Sequence, residues 1–222
     1  MSASPLALLG GTFDPIHLAH LRLAEETADV FGFGEVRFVP VAVPPHRGLP
    51  GASAQHRRKM VELAIAGNSR FVLDDRELKR EGTSYTFDTL TELRRELGET
   101  PMCLLMGADA FVALTTWYRW QELFDLAHVL VARRPGYPLD QLAASLPAAL
   151  RTDYLRRHAP DRGGLKLAPA GRVFTHELTA LDVSATALRS LITRGRSLRY
   201  LLPDSVIAYI HDHRLYKGHD AG

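Results

Sequence analysis

The sequence predicts a doubly wound α/β fold built on a parallel sheet, with a small helical unit at its C-terminal end. Short apolar runs typical of β-strands alternate with amphipathic segments typical of helices along most of the chain. The 222 residues are 46% hydrophobic, which is enough for a large core. Because parallel strands need right-handed crossovers, their carboxyl ends share one edge of the sheet, and we expect functional residues just after strands.

The apolar runs that predict strands in the first two thirds of the chain lie at 6–9, 36–41, 71–73, 103–106 and 129–132. Apolar spacing between them predicts helices at about 16–31, 53–66, 86–97 and 108–124. The segment 140–172 is rich in proline, glycine and arginine and predicts an irregular excursion over the surface. A last strand at 173–178 and helices at about 184–194 and 203–213 complete the prediction.

Charge and cysteine content exclude several kinds of site. The formal net charge is +2, with positive residues spread along the chain, which suits small anionic substrates but does not by itself exclude nucleic acid. The one cysteine, Cys103, excludes an intramolecular disulfide and a cysteine metal cluster. No signal-peptide pattern opens the sequence and no apolar run could cross a bilayer, so we expect a cytoplasmic protein without a membrane partner.

The segment 10–20, Gly-Gly-Thr-Phe-Asp-Pro-Ile-His-Leu-Ala-His, directly follows the first predicted strand. Its two glycines leave backbone amides uncrowded, and Thr12 adds a hydroxyl donor. Asp14 is expected to cap the next helix, with Pro15 at the first helical position, so that the positive end of the helix dipole lies beside this loop. The pattern therefore predicts a phosphate site.

His17 and His20 are three residues apart, which places both imidazoles on one helix face, where both can point at the phosphate. Hydrogen-bond donors fixed at that place would stabilise the charge that builds on a phosphate during nucleotidyl transfer. Taken alone, such a pair is more often structural or a surface accident. Zinc is the other alternative, but no glutamate completes the His-Glu-x-x-His arrangement and no third ligand is near, so we expect no metal bound by protein side chains.

The full string resembles the signature of a family of nucleotidyltransferases, Gly-Gly-Thr-Phe-Asp-Pro-Ile-His-x-Gly-His, with Ala19 where glycine is usual. The resemblance implies a Rossmann-like fold in a single nucleotidyltransferase domain over 1–222, of which about 184–222 form a C-terminal helical subdomain. It implies that the two histidines act on the ATP phosphates as catalytic residues. It also implies that Thr12 touches the phosphate of the second substrate, and that the loop binds ATP through Gly10, Gly11, Thr12 and Phe13.

Motifs further along the chain resemble the bacterial nicotinate mononucleotide adenylyltransferases, and this resemblance covers nearly the whole sequence. It implies that His46 and Arg47, which end the loop 39–47, hold the mononucleotide phosphate, with arginine where lysine is usual. From its residues alone, the loop 39–47 is better interpreted as a solvated basic loop. The resemblance further implies that the pyridine ring and its carboxylate are recognised by Ser84, Tyr85, Thr86 and Trp117. The alternative for Ser84 and Thr86 is an ordinary helix cap. The alternative for Trp117 is an aromatic residue of the core or the surface.

The remaining ATP contacts follow from the same resemblance. Asp109, after the fourth strand, would accept hydrogen bonds from the ribose hydroxyls, and Arg133 and Arg134 would face the nucleotide from the next loop. The segment 182–189 resembles the second phosphate motif, Ile-Ser-Ser-Thr-x-x-Arg, with Ala185 in place of one serine. Its residues for the β- and γ-phosphates would be Ser184, Thr186 and Arg189. Read alone, this motif is a helix cap.

The resemblance therefore implies an enzyme of NAD biosynthesis that transfers AMP from ATP to nicotinate mononucleotide. The products would be deamido-NAD and pyrophosphate, formed by in-line attack without a covalent enzyme intermediate, with Mg2+ carried by the ATP phosphates. A related transferase acting on nicotinamide mononucleotide or phosphopantetheine is the first alternative. A non-enzymatic nucleotide sensor or RNA-binding protein is the second, but we see no basic stripe with interleaved aromatic residues and expect no nucleic-acid partner. The oligomeric state is left open.

Overall fold

The computed structural model describes residues 4–43, 49–133, 139–179 and 181–217, without the side chains of 139 and 140. Its six strands form one sheet, in which every neighbouring pair is parallel. The order across the sheet is third, second, first, fourth, fifth, sixth. The strands are β1 (Leu6–Gly11), β2 (Glu35–Pro40), β3 (Phe71–Leu73), β4 (Met102–Gly107), β5 (His128–Arg133) and β6 (Val173–Glu177). The predicted doubly wound α/β fold and all six predicted strands are confirmed.

The described helices are α1 (Leu18–Phe31), α2 (Ala54–Ile65), α3 (Thr86–Leu97), α4 (Ala108–Val112), α5 (Leu123–Leu126), α6 (Leu139–Ser145), α7 (Ala148–Arg157), α8 (Ala185–Thr193) and α9 (Asp204–Asp212). Short 3₁₀ turns lie at Arg76–Lys79, Leu114–Thr116, Trp120–Glu122 and Arg162–Lys166. Within the described ranges, no helix is both long and apolar enough to cross a membrane.

The alternation of side chains along the strands divides the core between the two faces of the sheet. In β1, Ala7 and Leu9 belong to one buried cluster, and Leu6 and Leu8 belong to the other. The first cluster is completed by buried residues of α1, α2, α8 and α9. The second is completed by buried residues of α3 to α7. The two C-terminal helices therefore pack into the same core as the first two helices of the chain.

The strand order reverses between β1 and β4, which are neighbours in the sheet although two strands separate them in sequence. Ligands of open α/β sheets bind outside the carboxyl ends of the strands at such a reversal. At this edge β1 ends in Gly10 and Gly11, β4 ends in Gly107, and β5 ends in Arg133. The fold thus brings the loops after β1, β4 and β5 to one place.

Two sequence-based predictions about the second face of the sheet are wrong. A single helix at 108–124 does not form, because the chain turns after α4 and Arg119 adopts φ +53°, which a right-handed helix does not allow. The apolar spacing there still marks burial, since Phe111 and Leu123 are fully buried. The segment 140–172 is not an irregular surface excursion either, because it contains α6 and α7 and buries Leu150 and Tyr154 in the core.

Candidate active site

The loop after β1 is built around an aromatic residue in an unusual backbone conformation. Phe13 has φ +50°, and its ring is buried, lying edge-on to His20 with ring centroids 5.1 Å apart. A Cβ atom at Gly11 would lie 3.1 Å from that ring, closer than side chains normally approach, so this position favours glycine. A Cβ atom at Gly10 would meet nothing within 4 Å, which leaves open space beside the main chain there. The main chain of Phe13, and not its ring, is what this residue can offer a ligand.

Asp14 does not cap the helix that follows, so the prediction of an Asp14 cap with Pro15 in the first turn is wrong. Helix α1 begins three residues after Pro15, at Leu18, with His17 in the N-cap position. The Asp14 carboxylate is buried and instead accepts hydrogen bonds from the amides of Gly51 and Ala52, at 2.7 and 3.1 Å. Those amides precede α2, so Asp14 fastens the loop after β1 to the start of another helix.

The two histidines form a stacked pair at the beginning of α1. Their ring centroids are 3.7 Å apart with 26° between the planes, and His20 Nδ1 accepts a hydrogen bond from the amide of His17 at 3.2 Å. Nδ1 of His17 is buried and forms no hydrogen bond within the described part of the chain. Burial lowers the pKa of His17 to about 4, and burial together with the neighbouring His17 lowers the pKa of His20 well below its usual value. Both rings are therefore neutral near pH 7.

A cavity of about 330 Å³ opens beside His20 at the carboxyl ends of β4 and β5. It brings together three residues predicted to contact ATP, which are His20, Asp109 and Arg133. Arg133 is mostly buried, and its Nη2 lies 3.9 Å from Glu177 Oε2. The other lining residues are Ala19, Leu23, Gly107, Ala108, Ala132, Leu178, Thr179 and Leu181. The cavity thus combines apolar walls with one carboxylate, one guanidinium and one imidazole.

The second predicted phosphate motif contacts the loop after β1 directly. Arg189 donates from Nη1 to the main-chain oxygen of Asp14 at 2.7 Å, across 175 positions of sequence. Its Nη2 donates to the hydroxyl of Thr186 at 3.3 Å. Ser184 caps α8 by accepting a hydrogen bond from the amide of Ala187 at 3.2 Å. Two motifs that are far apart in sequence are therefore in direct contact.

Arg57, on α2, belongs to this region although no sequence motif predicted it. Its side chain is buried and donates to four main-chain oxygens, those of Thr12 (2.7 Å), Val41 (2.8 Å), Ala42 (3.1 Å) and Ala52 (3.3 Å). Burial lowers the pKa of Arg57, while the charge of Asp14 opposes that shift. One guanidinium thus joins the loops after β1 and β2 to the start of α2.

A signal for Arg57 was present in the sequence, because it lies three and four residues before Met60 and Val61, on the apolar face of α2. A charged residue in such a stripe is unusual enough to mark a buried network. The cavity is also lined by Leu178, Thr179 and Leu181, which follow β6 and carry no comparable signal in the sequence.

The predicted pyridine-binding residues lie at the start of α3, which begins at Thr86 as predicted. Tyr85 stands in the N-cap position and its side chain makes no capping hydrogen bond, so the first amides of the helix have no side-chain partner from that residue. Ser84 is buried, and its hydroxyl accepts a hydrogen bond from the amide of Ala42 at 3.3 Å. Ser84 therefore holds the loop after β2 close to α3.

Trp117 is half-buried at the end of a 3₁₀ turn and packs against the second core cluster. Its neighbour Tyr118 is half exposed and contacts Tyr85, with ring centroids 4.7 Å apart and 39° between the ring planes. This contact brings the Trp117 segment to the start of α3. Tyr118 was not among the residues predicted from the sequence. Three predicted residues, His46, Arg47 and Arg134, lie outside the described residues.

Comparison with known proteins identifies the family of this chain. A family model described as cytidylyltransferase-like matches residues 8–191. The probable nicotinate-nucleotide adenylyltransferase of Dechloromonas aromatica is 51% identical over 97% of this chain and 99% of its own length. The probable enzyme of the same name from Aeromonas hydrophila is 46% identical over 98% of this chain and 99% of its own.

Among solved structures, Plasmodium falciparum nicotinic acid mononucleotide adenylyltransferase complexed with NaAD superimposes with a TM-score of 0.72. The superposition covers 96% of this chain and 98% of that one, at 16% identity, and supports the fold. The sequence relatives carry the assignment further, because they match almost end to end at identities of 42% to 51%. The chain belongs to the cytidylyltransferase-like family and, within it, to the nicotinate-nucleotide adenylyltransferases.

Proposed function

We propose that this chain joins the AMP part of ATP to nicotinate mononucleotide over the carboxyl ends of β1 and β4, forming nicotinate adenine dinucleotide and pyrophosphate. The observation that carries the proposal is the stacked pair of neutral imidazoles, of which His20 lines a cavity together with Asp109 and Arg133. The contact between Arg189 and the loop after β1 supports it, because it places a fixed cation beside the same loop. The names of the sequence relatives point to the same reaction.

In the reaction an oxygen of the mononucleotide phosphate attacks the α-phosphorus of ATP. A new P–O bond forms as the bond from the α-phosphorus to the bridging oxygen breaks, and pyrophosphate leaves with that bond's electron pair. No enzyme nucleophile is required. Cys103, the single thiol, is fully buried in β4, and burial raises its pKa, so it stays protonated and out of reach.

The histidines stabilise the charge that develops on the α-phosphate. Because His20 Nδ1 accepts the amide of His17, the neutral ring of His20 carries its proton on Nε2. That N–H is then a donor for a phosphate oxygen. The main chain of Gly10 to Phe13 offers further amides around the same charge. Arrival of a triphosphate would raise the pKa of both histidines, since a nearby anion favours the imidazolium form.

The leaving pyrophosphate is held by the start of α8. Ser184 and Thr186 supply hydroxyl groups there, and Arg189 supplies a guanidinium that is already oriented by Asp14 and Thr186. Asp109 accepts the ribose hydroxyls, and Arg133 and Arg134 complete the nucleotide contacts. Mg2+ enters as part of the MgATP substrate, and in the described ranges no three His, Cys, Asp or Glu residues gather as a metal site of their own.

The mononucleotide occupies the side of the crevice formed by the loops after β1 and β2 and the start of α3. Its phosphate is bound by Thr12, His46 and Arg47. Its pyridine ring lies against Trp117, and its carboxylate accepts the first amides of α3 and the hydroxyl of Thr86. Tyr85 and Ser84 shape this pocket, Ser84 by holding the loop after β2.

Several further expectations stay predictions. They are a cytoplasmic location, the absence of a nucleic-acid partner, and a single domain over 1–222 whose helical subdomain begins at about residue 184.

The proposal is tested by incubating purified protein with MgATP and either nicotinate or nicotinamide mononucleotide. We expect equal amounts of pyrophosphate and dinucleotide with the acid, and at least about tenfold lower kcat/KM with the amide, because only the acid places a charge at the first turn of α3. Thr86→Ala should reduce that preference. Faster turnover of the amide or of phosphopantetheine would favour the related transferases, and ATP binding without pyrophosphate release would favour a nucleotide sensor.

A further inference from the structure

Tyr216 lies beyond α9, near the end of the described chain, yet its side chain reaches the loop after β1. Its hydroxyl donates to Asp14 Oδ1 at 2.7 Å, across 202 positions of sequence. Its backbone has φ +62°, a conformation that costs free energy in a tyrosine and has to be offset by contacts. Burial, followed by the hydrogen bond to Asp14, raises the pKa of Tyr216, so the hydroxyl remains a donor.

Asp14 connects Tyr216 to the phosphate-binding machinery. The carboxylate receives Tyr216 on one oxygen, and the main-chain oxygen of the same residue receives Arg189 Nη1 at 2.7 Å. Asp14 Oδ2 also lies 3.5 Å from Arg189 Nη1. The orientation of Asp14 therefore fixes where the guanidinium stands, and the Tyr216 hydroxyl is one of the contacts that set this orientation.

Gly51 shows how closely these side chains are packed together. A Cβ atom there would lie 3.1 Å from Cδ1 of the Tyr216 ring and 3.4 Å from Cδ of Arg189. The amide of Gly51 also donates to Asp14 Oδ2 at 2.7 Å. Gly51 thus lies against both side chains and is bonded to the carboxylate between them. A shift of the Tyr216 ring would therefore displace Asp14 and Arg189.

We infer that Tyr216 is a positioning residue for adenylyl transfer, which acts through Asp14 to hold Arg189 in place for the leaving phosphates of ATP. The inference rests on the proposed role of Arg189. It assigns a role in the active site to a segment that follows α9 and that belongs to neither phosphate motif. It also explains why the carboxylate of Asp14 is buried in the loop instead of capping α1.

Tyr216→Phe removes the hydroxyl and keeps the ring. We expect kcat/KM for ATP to fall by about tenfold to a hundredfold, because small displacements of a positioning group cost up to about 10²-fold. The KM for the mononucleotide should change less than about threefold, and Tm should fall by only a few degrees. Gly51→Ala places a methyl group against the Tyr216 ring and should disturb the contact between Tyr216 and Asp14. It should also lower kcat/KM for ATP, by a smaller factor.

Tyr209→Phe is the matched control. Tyr209 lies on α9, and its hydroxyl is 2.9 Å from Nδ1 of His56 on α2, so it also joins the C-terminal helices to the body of the protein but does not reach the loop after β1. This variant should lose a similar amount of Tm and keep kcat/KM for ATP within about twofold of the unmodified protein.

The inference is overturned if Tyr216→Phe keeps kcat/KM for ATP within twofold, or if both variants lose activity in proportion to their loss of Tm. The Kd of a non-hydrolysable ATP analogue, measured for all four proteins, gives the same comparison without turnover. Failure of the unmodified protein to make dinucleotide would count against the proposed function alone. Weaker binding of the analogue by Tyr216→Phe but not by Tyr209→Phe would still support the link, and equal binding would reject it.

Discussion

The two sides of the crevice are held in different ways. On the side proposed to bind the phosphates, Asp14 and Arg57 are at least 95% buried, and their side chains are hydrogen-bonded to main chain from distant parts of the sequence. On the pyridine side, Tyr118 is 50% exposed and the segment around it is a series of short turns instead of a helix. Buried polar groups with several partners fix their surroundings, whereas exposed aromatic rings leave theirs able to adjust.

The difference fits the chemistry proposed for each side. Alignment of two anions for in-line attack requires donors whose positions do not change as the reaction proceeds, which the buried network provides. Binding of a pyridine ring requires a flat apolar surface and tolerates small shifts of that surface. Substitutions on the phosphate side should therefore act on turnover or folding, and substitutions on the pyridine side should act on the affinity for one substrate.

The largest effect is expected for His17→Ala. Loss of one fixed donor to a developing phosphate charge should lower kcat by about 10²–10³-fold, with a Tm change of only a few degrees. Pyrophosphate release under saturating substrates measures the effect, and His211→Ala, on the exposed side of α9, is the control. Ordinary turnover in His17→Ala would mean that the stacked pair is structural.

Arg57→Met tests whether the phosphate side depends on its buried guanidinium for folding. Removal of a donor to four main-chain oxygens should lower the free energy of unfolding by roughly 2–4 kcal/mol, because those oxygens stay buried without their partner. Urea denaturation followed by circular dichroism measures the change.

Arg58→Met is the adjacent control for Arg57→Met. Arg58 is 42% exposed and pairs with Asp75 and Glu62, so its loss should cost less than about 1 kcal/mol. If both variants lost the same unfolding free energy, burial of the arginine would not determine its contribution to stability. The proposed contrast between buried and exposed arginines would then be wrong.

The neutral histidine pair predicts a pH dependence of stability. The pKa of His17 is about 4 in the folded chain and near 6.5 when unfolded, so the unfolded state binds its proton first as the pH falls. This contribution to stability is complete above pH 6.5 and is lost as the pH falls from 6.5 towards 4. His17→Gln should therefore flatten the decline in unfolding free energy across that window by roughly 1–3 kcal/mol. Urea unfolding at several pH values with an unchanged m-value measures it, and a decline as steep as in the unmodified protein would contradict it.

The smallest effect is expected on the pyridine side, for Trp117→Leu. Loss of ring stacking should raise the KM for nicotinate mononucleotide by about 3–10-fold and leave the KM for ATP nearly unchanged. Trp120→Leu is the matched control, because Trp120 packs edge-on to Phe124, with ring centroids 6.4 Å apart, within the second core. A Trp117 variant that changes both KM values equally would mean that the pyridine lies elsewhere.

The sequence predicted the sheet well because strand patterns and glycine-rich loops are local. In the run from Cys103 to Met106, consecutive apolar residues are enough to predict a buried strand. In the same way, the consecutive residues 10–20 are enough to predict the loop after the first strand. The partners of Asp14 could not be predicted, because its carboxylate is bound by residues 37 and 202 positions away. Local rules therefore favoured a helix cap, which is the commonest use of an aspartate before a helix.

The broken helix at 108–124 and the helices hidden in 140–172 show the same limit. In both places the chain bends so that apolar residues fit between β5, α3 and the outer helices, and this fit depends on tertiary packing. The arginine and proline content of this segment led to the prediction of irregular structure in place of α7. Leu150 and Tyr154, which are four residues apart, already had the spacing of a helix. Patterns of spacing predicted which residues are buried more reliably than they predicted where the helices end.

The contact between Tyr216 and Asp14 also bears on how the protein is made. A ribosome releases the loop after β1 early, but the hydroxyl that anchors it is synthesised about two hundred residues later, so the loop acquires its last anchor only when nearly all of the chain has emerged. Fragments that stop before α9 would carry both histidines and lack this anchor. Incomplete chains would thus lack the contact proposed to hold Arg189 in place, and we expect them to turn over ATP more slowly than the finished enzyme.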